Sequence, residues 1–508
     1  MDPAPREVAH SHSHSLSLSP NASTAAPQHG YLARVTTTRT ESSSRSSGTL
    51  GRGPRSRYGV RTLSGFVRHP LTFLQEIAEK HGDCVETTML GRPWVFLFHP
   101  DDVEELLVGH AGDLARDDYS HVLKRVLGEG LLTSDGDLWK RQRRLASAAF
   151  TPKRIREYAE AMSSVTEHGL TRWQNDERVQ LHEEMSHLTL EVVADVLFGA
   201  NVSTADVDTV RESMEVFNVL FAQSPETIFR IPTWVPTPLN RATARALSKL
   251  DALIARIVEA RRKSGERRND VLDALLAATD EDGSRMDDKQ LRDEVVTLFL
   301  AGHETTALAL THALYAIAKH PDVKRRLWAE LDEVLAGRLP TQADVGKLVL
   351  TERIIKESMR LHPPAWLTGR EVAKDFTLGR KRLAKGTQVL VSQWIVHRDP
   401  RWWPSPEAFD PDRFDPELVK VRPRFSYFPF GGGPRVCIGN HFAMMEAILM
   451  LAIVAQRWDV ELLPFEELHF SPSVTLRPKG RGLRARLMKR AAKEKTSANS
   501  PSMGARRP

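Results

Sequence analysis

The sequence predicts a mainly α-helical protein with a smaller set of β-strands. Residues 153–280 show one helical pattern after another, and a long helical pattern covers 287–320. The strand patterns are shorter. Residues 84–90 and 94–98 flank a Gly-Arg-Pro turn and predict a hairpin, and a further strand is predicted over 389–396. Helices are therefore expected to form most of the fold.

Both ends of the chain have the composition of tails. Residues 1–56 are dominated by Ser, Thr, His, Arg and Pro, and residues 485–508 are basic. Such segments bury too little apolar surface to form a core, so we expect both to be disordered. Residues 57–484 are then a single folded domain, which a short hairpin formed by 460–463 and 474–476 closes.

The composition of the 508-residue chain fits an ordinary globular protein, with 41% hydrophobic and 27% charged residues. The net charge is +6, but the two tails account for the excess, and no nucleic-acid recognition motif lies between them. Two cysteines suit a reducing compartment, and no apolar run is long enough to span a membrane. We expect a cytoplasmic protein with no nucleic-acid partner and no integral membrane segment.

The stretch from Phe430 to Gly439 carries the clearest chemical signal. Its centre is Cys437, one of two cysteines in the chain, so neither a disulfide framework nor a thiolate cluster explains it. The surrounding glycines let the backbone approach a flat ligand, and the N-terminus of the helix that follows favours an anionic sulfur. The pattern indicates a thiolate metal ligand. The alternative is a glycine-rich turn with a buried, inert cysteine before a core helix.

The spacing Phe-x-x-Gly-x-Arg-x-Cys-x-Gly resembles the haem-binding loop of the cytochrome P-450 family. This resemblance implies that Cys437 is the axial ligand of the iron in haem b. It also assigns Phe430, Gly433, Arg435 and Gly439 to the loop that binds the cofactor.

Trp139 and Arg143 lie four residues apart on a predicted helix, so they share one face. An indole N–H and a guanidinium can both donate to one carboxylate. The resembling family uses such a Trp-x-x-x-Arg pair to hold a haem propionate, and the resemblance implies that Arg370 and Arg435 are further cations near the propionates. Taken alone, each of these arginines is more often a surface residue.

The sequence Ala-Gly-His-Glu-Thr-Thr at 301–306 lies in the middle of the long helical pattern. Glycine and threonine are unfavourable inside a helix, and such local violations tend to mark function. The segment resembles the motif with which the family relays protons to the oxygen that is being activated, and this implies catalytic roles for Glu304 and Thr305. The alternative is a kinked core helix with a capped polar step.

Glu357 and Arg360 lie three residues apart on one helix face, a pairing that is common on protein surfaces. The resembling family buries such a Glu-x-x-Arg pair against an arginine from a later Pro-x-Arg-Phe segment, which here contains Arg413. We therefore expect these three residues to be buried together and to have a structural role.

Residues 214–239 combine several aromatic side chains with four prolines, and in the resembling family the matching region is a mobile lid over the substrate. A second apolar stretch covers residues 364–367. Together these segments indicate a lipophilic substrate such as a fatty acid, a terpenoid or a steroid.

The resemblance covers residues 57–484 and includes four motifs in the family's order. It implies the cytochrome P-450 fold, mainly α with a smaller β-rich lobe, and a monooxygenase that inserts one oxygen atom from O2 into its substrate. The chain has no room for a fused reductase. We therefore expect a monomer that receives electrons from a separate ferredoxin or flavodoxin with an NAD(P)H reductase.

Two other functions fit the same cysteine loop. A peroxide-driven or isomerising haem-thiolate enzyme would not need Glu304 and Thr305 for proton delivery. A haem-based sensor would ordinarily carry a DNA-binding or signalling module, and the sequence shows none.

Overall fold

Helices form most of the chain that the structure describes. In this computed structural model the described residues are 51–54, 59–199, 203–222, 225–228, 230–268, 270–279, 283, 285–480 and 482–490, all within one compact unit, Ser46–Pro508. The α-helices, in chain order, are α1 Val60–Arg68, α2 Pro70–His81, α3 Pro100–Glu104, α4 Ser120–Leu127, α5 Gly136–Ser147, α6 Pro152–Leu170, α7 Leu181–Phe198, α8 Thr204–Phe221, α9 Pro225–Ile228, α10 Pro238–Ser264, α11 Val271–Ala277, α12 Asp288–Lys319, α13 Pro321–Val334, α14 Gln342–Val345, α15 Val349–Leu361, α16 Gln393–Val396, α17 Pro416–Lys420 and α18 Asn440–Arg457.

The strands form four sheets. They are β1 Gly51–Arg52, β2 Cys84–Met89, β3 Arg92–Leu97, β4 Leu114–Ala115, β5 Glu177–Gln180, β6 Thr368–Val372, β7 Phe376–Leu378, β8 Lys381–Leu383, β9 Gln388–Val391, β10 Trp458–Leu462, β11 Phe470–Pro472, β12 Leu476–Pro478 and β13 Arg484–Lys489. The largest sheet has the order β1-β2-β3-β9-β6-β4, a second has the order β10-β13-β5, and the pairs β7-β8 and β11-β12 complete the set.

The long helix α12 is the centre of the helical part. It begins after Asp287, whose side chain accepts the N–H of Gln290 and caps the helix, and it ends at Lys319, just before Pro321 starts α13. Buried side chains surround α12 on nearly all sides, because α7, α15 and α18 pack against it. The helix predicted over 287–320 is confirmed.

The six-stranded sheet confirms the predicted β-rich lobe. The N-terminal hairpin of β2 and β3 joins the later strands through β3, which pairs in parallel with β9, and β9 pairs antiparallel with β6. A separate apolar cluster, which contains Val95, Leu97, Val389 and Val391, fills this lobe. The mainly α fold with a smaller β lobe is therefore present.

Two local predictions were wrong. The strand predicted over 389–396 ends at Val391, because the Ser392 side chain accepts the N–H of Ile395 at 3.4 Å and caps the short helix α16. The predicted closing hairpin is also not formed. Strand β10 pairs with β13, whereas β12 pairs with β11.

The predicted limits of the two tails need correction. Residues 485–489 belong to β13, the central strand of its sheet, where Ala485 and Leu487 are buried and alternate with exposed or half-exposed basic side chains. At the other end, Gly51 and Arg52 pair in parallel with β2. The prediction of disorder for the remainder of both tails concerns residues 1–50, 55–56 and 491–508, which lie outside the described residues.

None of the helices in the described ranges combines the length and the apolar character needed to cross a bilayer.

Candidate active site

The loop around Cys437 is held by its own backbone. Gly431 donates its N–H to the carbonyl of Phe428 at 2.9 Å, and Cys437 donates its N–H to the carbonyl of Phe430 at 3.0 Å. Gly433 has φ +68°, and a Cβ there would lie 1.9 Å from the Leu107 carbonyl oxygen. Only glycine fits this position, because both the left-handed backbone and the close approach exclude a side chain.

The Cys437 side chain combines accessible surface with a protein environment. It is exposed, yet burial raises the pKa of its thiol, while the Gly439 N–H and the Arg143 guanidinium lower it. Arg143 also donates to the carbonyl of Val436 at 2.9 Å, and α18 begins at Asn440. A guanidinium and a helix N-terminus thus both favour the thiolate form.

Trp139 and Arg143 do lie on one helix, α5, but they contact different parts of the cysteine loop. The Arg435 guanidinium lies over the Trp139 ring at 4.3 Å, a cation–π contact. Arg435 also donates to the carbonyl of Ser134 at 3.1 Å and forms an ion pair with Asp135. Trp139 therefore contacts the cysteine loop at Arg435, and Arg143 contacts it at Val436.

Arg370 and Arg435, the two predicted propionate cations, influence each other. Burial lowers the pKa of Arg370, and the carboxylates of Asp117 and Asp135 oppose only part of this effect. Burial lowers the pKa of Arg435 to about 10, and repulsion from Arg370 adds to the effect. The hydrogen bond of the Arg370 guanidinium goes to the neighbouring carbonyl of Gly369, at 2.7 Å.

Arg116 is a third cation of this cluster that sequence reasoning missed. Burial and repulsion from Arg370 and Arg435 lower its pKa well below the ordinary value. Its Nε is buried and has no hydrogen-bond partner among the described residues. The backbone N–H of Arg116 donates to Asp135 at 2.6 Å. No local pattern marks Arg116 in the sequence, because the loop that carries it has no regular period.

The 301–306 segment forms one accessible stripe on the otherwise buried α12. Ala301 is exposed and Thr305 is half-buried, whereas His303 and Glu304 are buried. Thr305 donates its hydroxyl to the carbonyl of Ala301 at 2.8 Å. Gly302 faces α7 instead, since a Cβ there would lie 3.3 Å from the side chain of Val193. The glycine lets α12 and α7 pack closely.

Glu304 is buried in an ion pair. Its Oε1 lies 3.0 Å from Nε of Arg477 and 3.3 Å from the hydroxyl of Thr475. Burial would raise the pKa of Glu304, but Arg477 and the rings of His182 and His303 outweigh it, so the pKa lies below the ordinary value. Glu304, the predicted proton-relay acid, is thus stabilised as a carboxylate. Its bonds go to Arg477 and Thr475.

The second threonine of the motif has a different acid partner. The Thr306 hydroxyl lies 3.0 Å from Oε2 of Glu446 on α18, and it lies 3.2 Å from the carbonyl oxygen of Gly302. Two buried acids are therefore found here. Glu304 is part of the 301–306 segment, and Glu446, on the helix that follows Cys437, contacts Thr306.

Glu357, Arg360 and Arg413 are brought together as predicted. Arg360 donates from Nε and Nη2 to the two carboxylate oxygens of Glu357 at 2.7 and 2.8 Å, and neither side chain is exposed. Arg413 Nε lies 3.3 Å from the same carboxylate, and the Asp410 N–H donates to it at 3.0 Å. The arrangement is a buried, multiply bonded charge pair.

This ion pair reaches the cysteine loop through a chain of contacts. Arg360 donates to the carbonyl of His397 at 2.9 Å, and His397 Nε2 accepts the N–H of Phe428 at 2.9 Å. Phe428 in turn accepts the N–H of Gly431. The buried pair therefore supports the cysteine loop through His397 and Phe428.

The donor set fits a thiolate-ligated haem. Within the described residues no group of three or more His, Cys, Asp and Glu side chains can hold a metal ion, so an iron bound to Cys437 would take its other ligands from a prosthetic group. The cluster of Arg116, Arg370 and Arg435, with one unpartnered buried Nε, suits the two propionates. The close approach at Gly433 is to the backbone of Leu107, so this glycine packs the cysteine loop against the protein.

The family profile described as Cytochrome P450 matches residues 58–483. The chain belongs to the cytochrome P450 family. Two relatives come from Streptomyces melanosporofaciens: cyclooctatin synthase, 39% identical over 81% of this chain and 90% of that protein, and cyclooctat-9-en-7-ol 5-monooxygenase, 33% identical over 78% and 86%. Pentalenene oxygenase of Streptomyces avermitilis is 33% identical over 78% of this chain and 88% of that protein.

This cytochrome P450 is therefore a haem-thiolate monooxygenase, an oxidoreductase that uses O2, a lipophilic organic substrate and electrons from a redox partner.

Replacing Cys437 tests the predicted iron ligand. The reduced wild-type protein with carbon monoxide should show the red-shifted Soret band of thiolate ligation, and Cys437→Ser should lose that band because a hydroxyl does not donate as a thiolate does. The matched control is Cys84→Ser, which changes the other cysteine and should keep the band. A wild-type band typical of histidine ligation would contradict the assignment.

Glu357→Ala tests the structural role of the buried pair. The change leaves Arg360 buried without its carboxylate, which typically costs about 3–5 kcal/mol, so folding yield and haem content should fall together. The control is Glu352→Ala on the same helix, whose pair with Lys356 is partly exposed and should matter by less than about 1 kcal/mol. A Glu357→Ala protein with full haem content and wild-type unfolding would disprove the role.

Proposed function

We propose that this cytochrome P450 hydroxylates or epoxidises a terpenoid, with Cys437 as the thiolate ligand of haem b and Thr305 as the proton-delivering hydroxyl. The observation that carries the proposal is the accessible Cys437 side chain beside Arg143 and a helix N-terminus, in a chain whose helix α12 also leaves Ala301 and Thr305 accessible. The names of the relatives support the substrate class.

Haem b, when bound through a thiolate, activates O2 for insertion into a C–H or C=C bond. Arg143 and the Gly439 N–H lower the pKa of the Cys437 thiol against the larger effect of burial, so both favour the anionic form that an iron ligand needs. Arg370 and Arg435, with Arg116, would hold the two propionates, and these carboxylates would relieve the repulsion among the three guanidiniums.

Proton delivery falls to Thr305 and Glu304. The Thr305 side chain is half-buried and remains accessible, and its hydroxyl carries a proton that it would be able to deliver once haem and substrate are bound. Glu304 can hand on a proton only after it leaves Arg477. A small cavity lined by Ser186, His187, Arg211 and Arg477 reaches Glu304 and gives it a route to the outside.

The substrate is expected to meet a mainly apolar site. Phe217 and Phe221 of the proposed lid over 214–239 are buried, while Trp234 is 81% exposed; Phe229 lies outside the described residues. Two hydrogen bonds hold the lid region and its end. Tyr119 donates to the carbonyl of Phe221, and Arg125 donates at 2.6 Å to Asn240, which directly follows residue 239.

Trp366, in the apolar stretch 364–367, does not support the prediction of a lipophilic substrate. Its ring is buried in a second apolar cluster, which also contains Phe96 and Leu390, and its indole N–H donates to the carbonyl of Ser473 at 2.9 Å. The inference therefore depends on the lid and on the relatives.

The electron donor is proposed to be a separate ferredoxin or flavodoxin with its NAD(P)H reductase. The family match covers residues 58–483, and monooxygenases of this family take their electrons from a redox partner. A monomer in the cytoplasm is consistent with this arrangement, and both points stay predictions.

A substrate-binding screen tests the terpenoid proposal. Purified protein titrated with pentalenene and with cyclooctat-9-en-7-ol should show a shift of the Soret band as the substrate displaces water from the iron. A straight-chain fatty acid and a steroid serve as comparison ligands and should bind at least tenfold more weakly. Tighter binding of the fatty acid than of either terpenoid would contradict the proposed substrate class.

Thr305→Ala tests proton delivery and separates the monooxygenase from a peroxide-driven enzyme. The variant should bind substrate and oxidise NAD(P)H through its partners, but hydrogen peroxide should replace product. Losing a positioned proton donor costs about 10²–10⁴-fold in the step it serves. The measurement is product and peroxide formed per NAD(P)H oxidised, and Thr305→Ser, which keeps a hydroxyl, should restore most of the coupling. Unchanged coupling in Thr305→Ala would remove the role.

A further inference from the structure

Glu446 is a buried acid that the mechanism above does not use. It lies on α18, the helix that begins just after the cysteine loop, and its side chain has no exposed surface. Oε2 lies 3.0 Å from the Thr306 hydroxyl on α12. Oε1 has no hydrogen-bond partner within the part of the chain that the structure describes. In the sequence, Glu446 interrupts an otherwise apolar helix.

The contacts of Glu446 favour the neutral acid. A carboxylate with a single hydroxyl donor in an apolar interior would be costly, because a buried charge needs several hydrogen bonds or a counter-ion. Burial raises the pKa of Glu446 to about 8, opposed only by the Thr306 hydroxyl. No charged side chain among the described residues offsets this effect.

The protonated acid fixes the direction of a short hydrogen-bond chain. The Thr306 hydroxyl has one proton and two oxygens within reach, Oε2 of Glu446 and the carbonyl of Gly302. A carbonyl oxygen can only accept. When Oε2 of the neutral Glu446 carries the proton, it can donate to Thr306, and Thr306 is then free to donate to Gly302.

This chain lies beside the proposed catalytic hydroxyl. Thr305 and Thr306 bond the successive carbonyls of Ala301 and Gly302, and such side-chain bonds to the preceding turn change the local helix geometry. A change in the direction of the Thr306 hydroxyl would thus alter the turn that carries Thr305. Because Glu446 lies on the helix that begins just after Cys437, its contact with Thr306 joins the 302–306 turn to that helix.

We infer that Glu446, held as a neutral acid, is a positioning residue that orients the 302–306 turn through Thr306 and so sets the Thr305 hydroxyl for proton delivery. The inference rests on the proposed role of Thr305. It also means that Thr306 is not an inert neighbour of Thr305, although both are threonines of one turn.

The two acids near this turn differ in charge. Glu304 is ion-paired with Arg477 and is ionised, whereas Glu446 faces a single hydroxyl and keeps its proton. A change in the charge of Glu304 or of Glu446 would therefore affect the same turn, residues 302–306.

The test uses the haem-loaded enzyme and four variants. Glu446→Gln keeps a neutral donor of the same shape, and Glu446→Leu removes it; Thr306→Ser keeps the hydroxyl, and Thr306→Val removes it. We expect Glu446→Leu and Thr306→Val to raise peroxide formed per NAD(P)H several-fold with substrate affinity and the carbon monoxide spectrum unchanged, and we expect Glu446→Gln and Thr306→Ser to rescue coupling.

A second readout does not depend on turnover. The pKa of a glutamate in the unfolded chain is about 4.3. Between that pH and about 8, Glu446 keeps a proton in the folded state that it releases in the unfolded state. Raising the pH across this window favours unfolding by up to about tenfold per pH unit. Glu446→Gln lacks this titration, so its unfolding midpoint should rise relative to that of the wild type from pH 5 to pH 8.

Each outcome bears on one claim. Parallel stability curves for wild type and Glu446→Gln would mean that Glu446 is ionised, and uncoupling by Glu446→Gln would mean that it supplies protons itself; either result overturns the inference. Unchanged coupling in Glu446→Leu would reduce Glu446 to core packing. If Thr305→Ala is itself fully coupled, the role of Thr305 fails, and the pH dependence still decides whether Glu446 is neutral.

Discussion

The buried pair of Glu357 and Arg360 is the interaction on which the cysteine side of the molecule depends. One guanidinium bonds the carboxylate and the carbonyls of His397, Pro406 and Ala408, and it lies 5.1 Å from the ring of the fully buried Trp403. The segment 397–408, which lies outside the helices and strands, is thereby held by the side chain of Arg360. Because a buried charge without its partner is costly, this segment has one stable arrangement.

The candidate site separates its charges. Three guanidiniums, those of Arg116, Arg370 and Arg435, are buried near one another, and burial lowers their pKa values by more than the nearby carboxylates raise them. The two acids at the 301–306 segment each have a partner: Glu304 on α12 pairs with Arg477, and Glu446 on α18 contacts Thr306. The arginine cluster therefore favours an anionic ligand edge, whereas the helix presents hydroxyls. A flat ligand with two carboxylates at one edge satisfies both sides.

The sequence revealed the parts of the site that have fixed spacing. The loop at Cys437 and the 301–306 segment can be found in one stretch, and the resemblance made sense of Glu357, Arg360 and Arg413, which the structure brings together. Arg116, Arg477 and the partner of Thr306 could not be found in this way, since each meets the site from a distant part of the chain. For the same reason the helix periods were right, whereas the pairing of β10 with β13 was missed.

The sheet β10-β13-β5 has its central strand last in sequence. During synthesis, the strands Glu177–Gln180 and Trp458–Leu462 are both made before the strand that joins them, so each keeps an unpaired edge until Arg484–Lys489 arrives. Chains fold as they leave the ribosome, and unpaired edges invite contacts with other chains. Completion of this sheet is therefore a late event in the life of each new molecule, and a premature stop a few codons before Arg484 would leave both edges open for good.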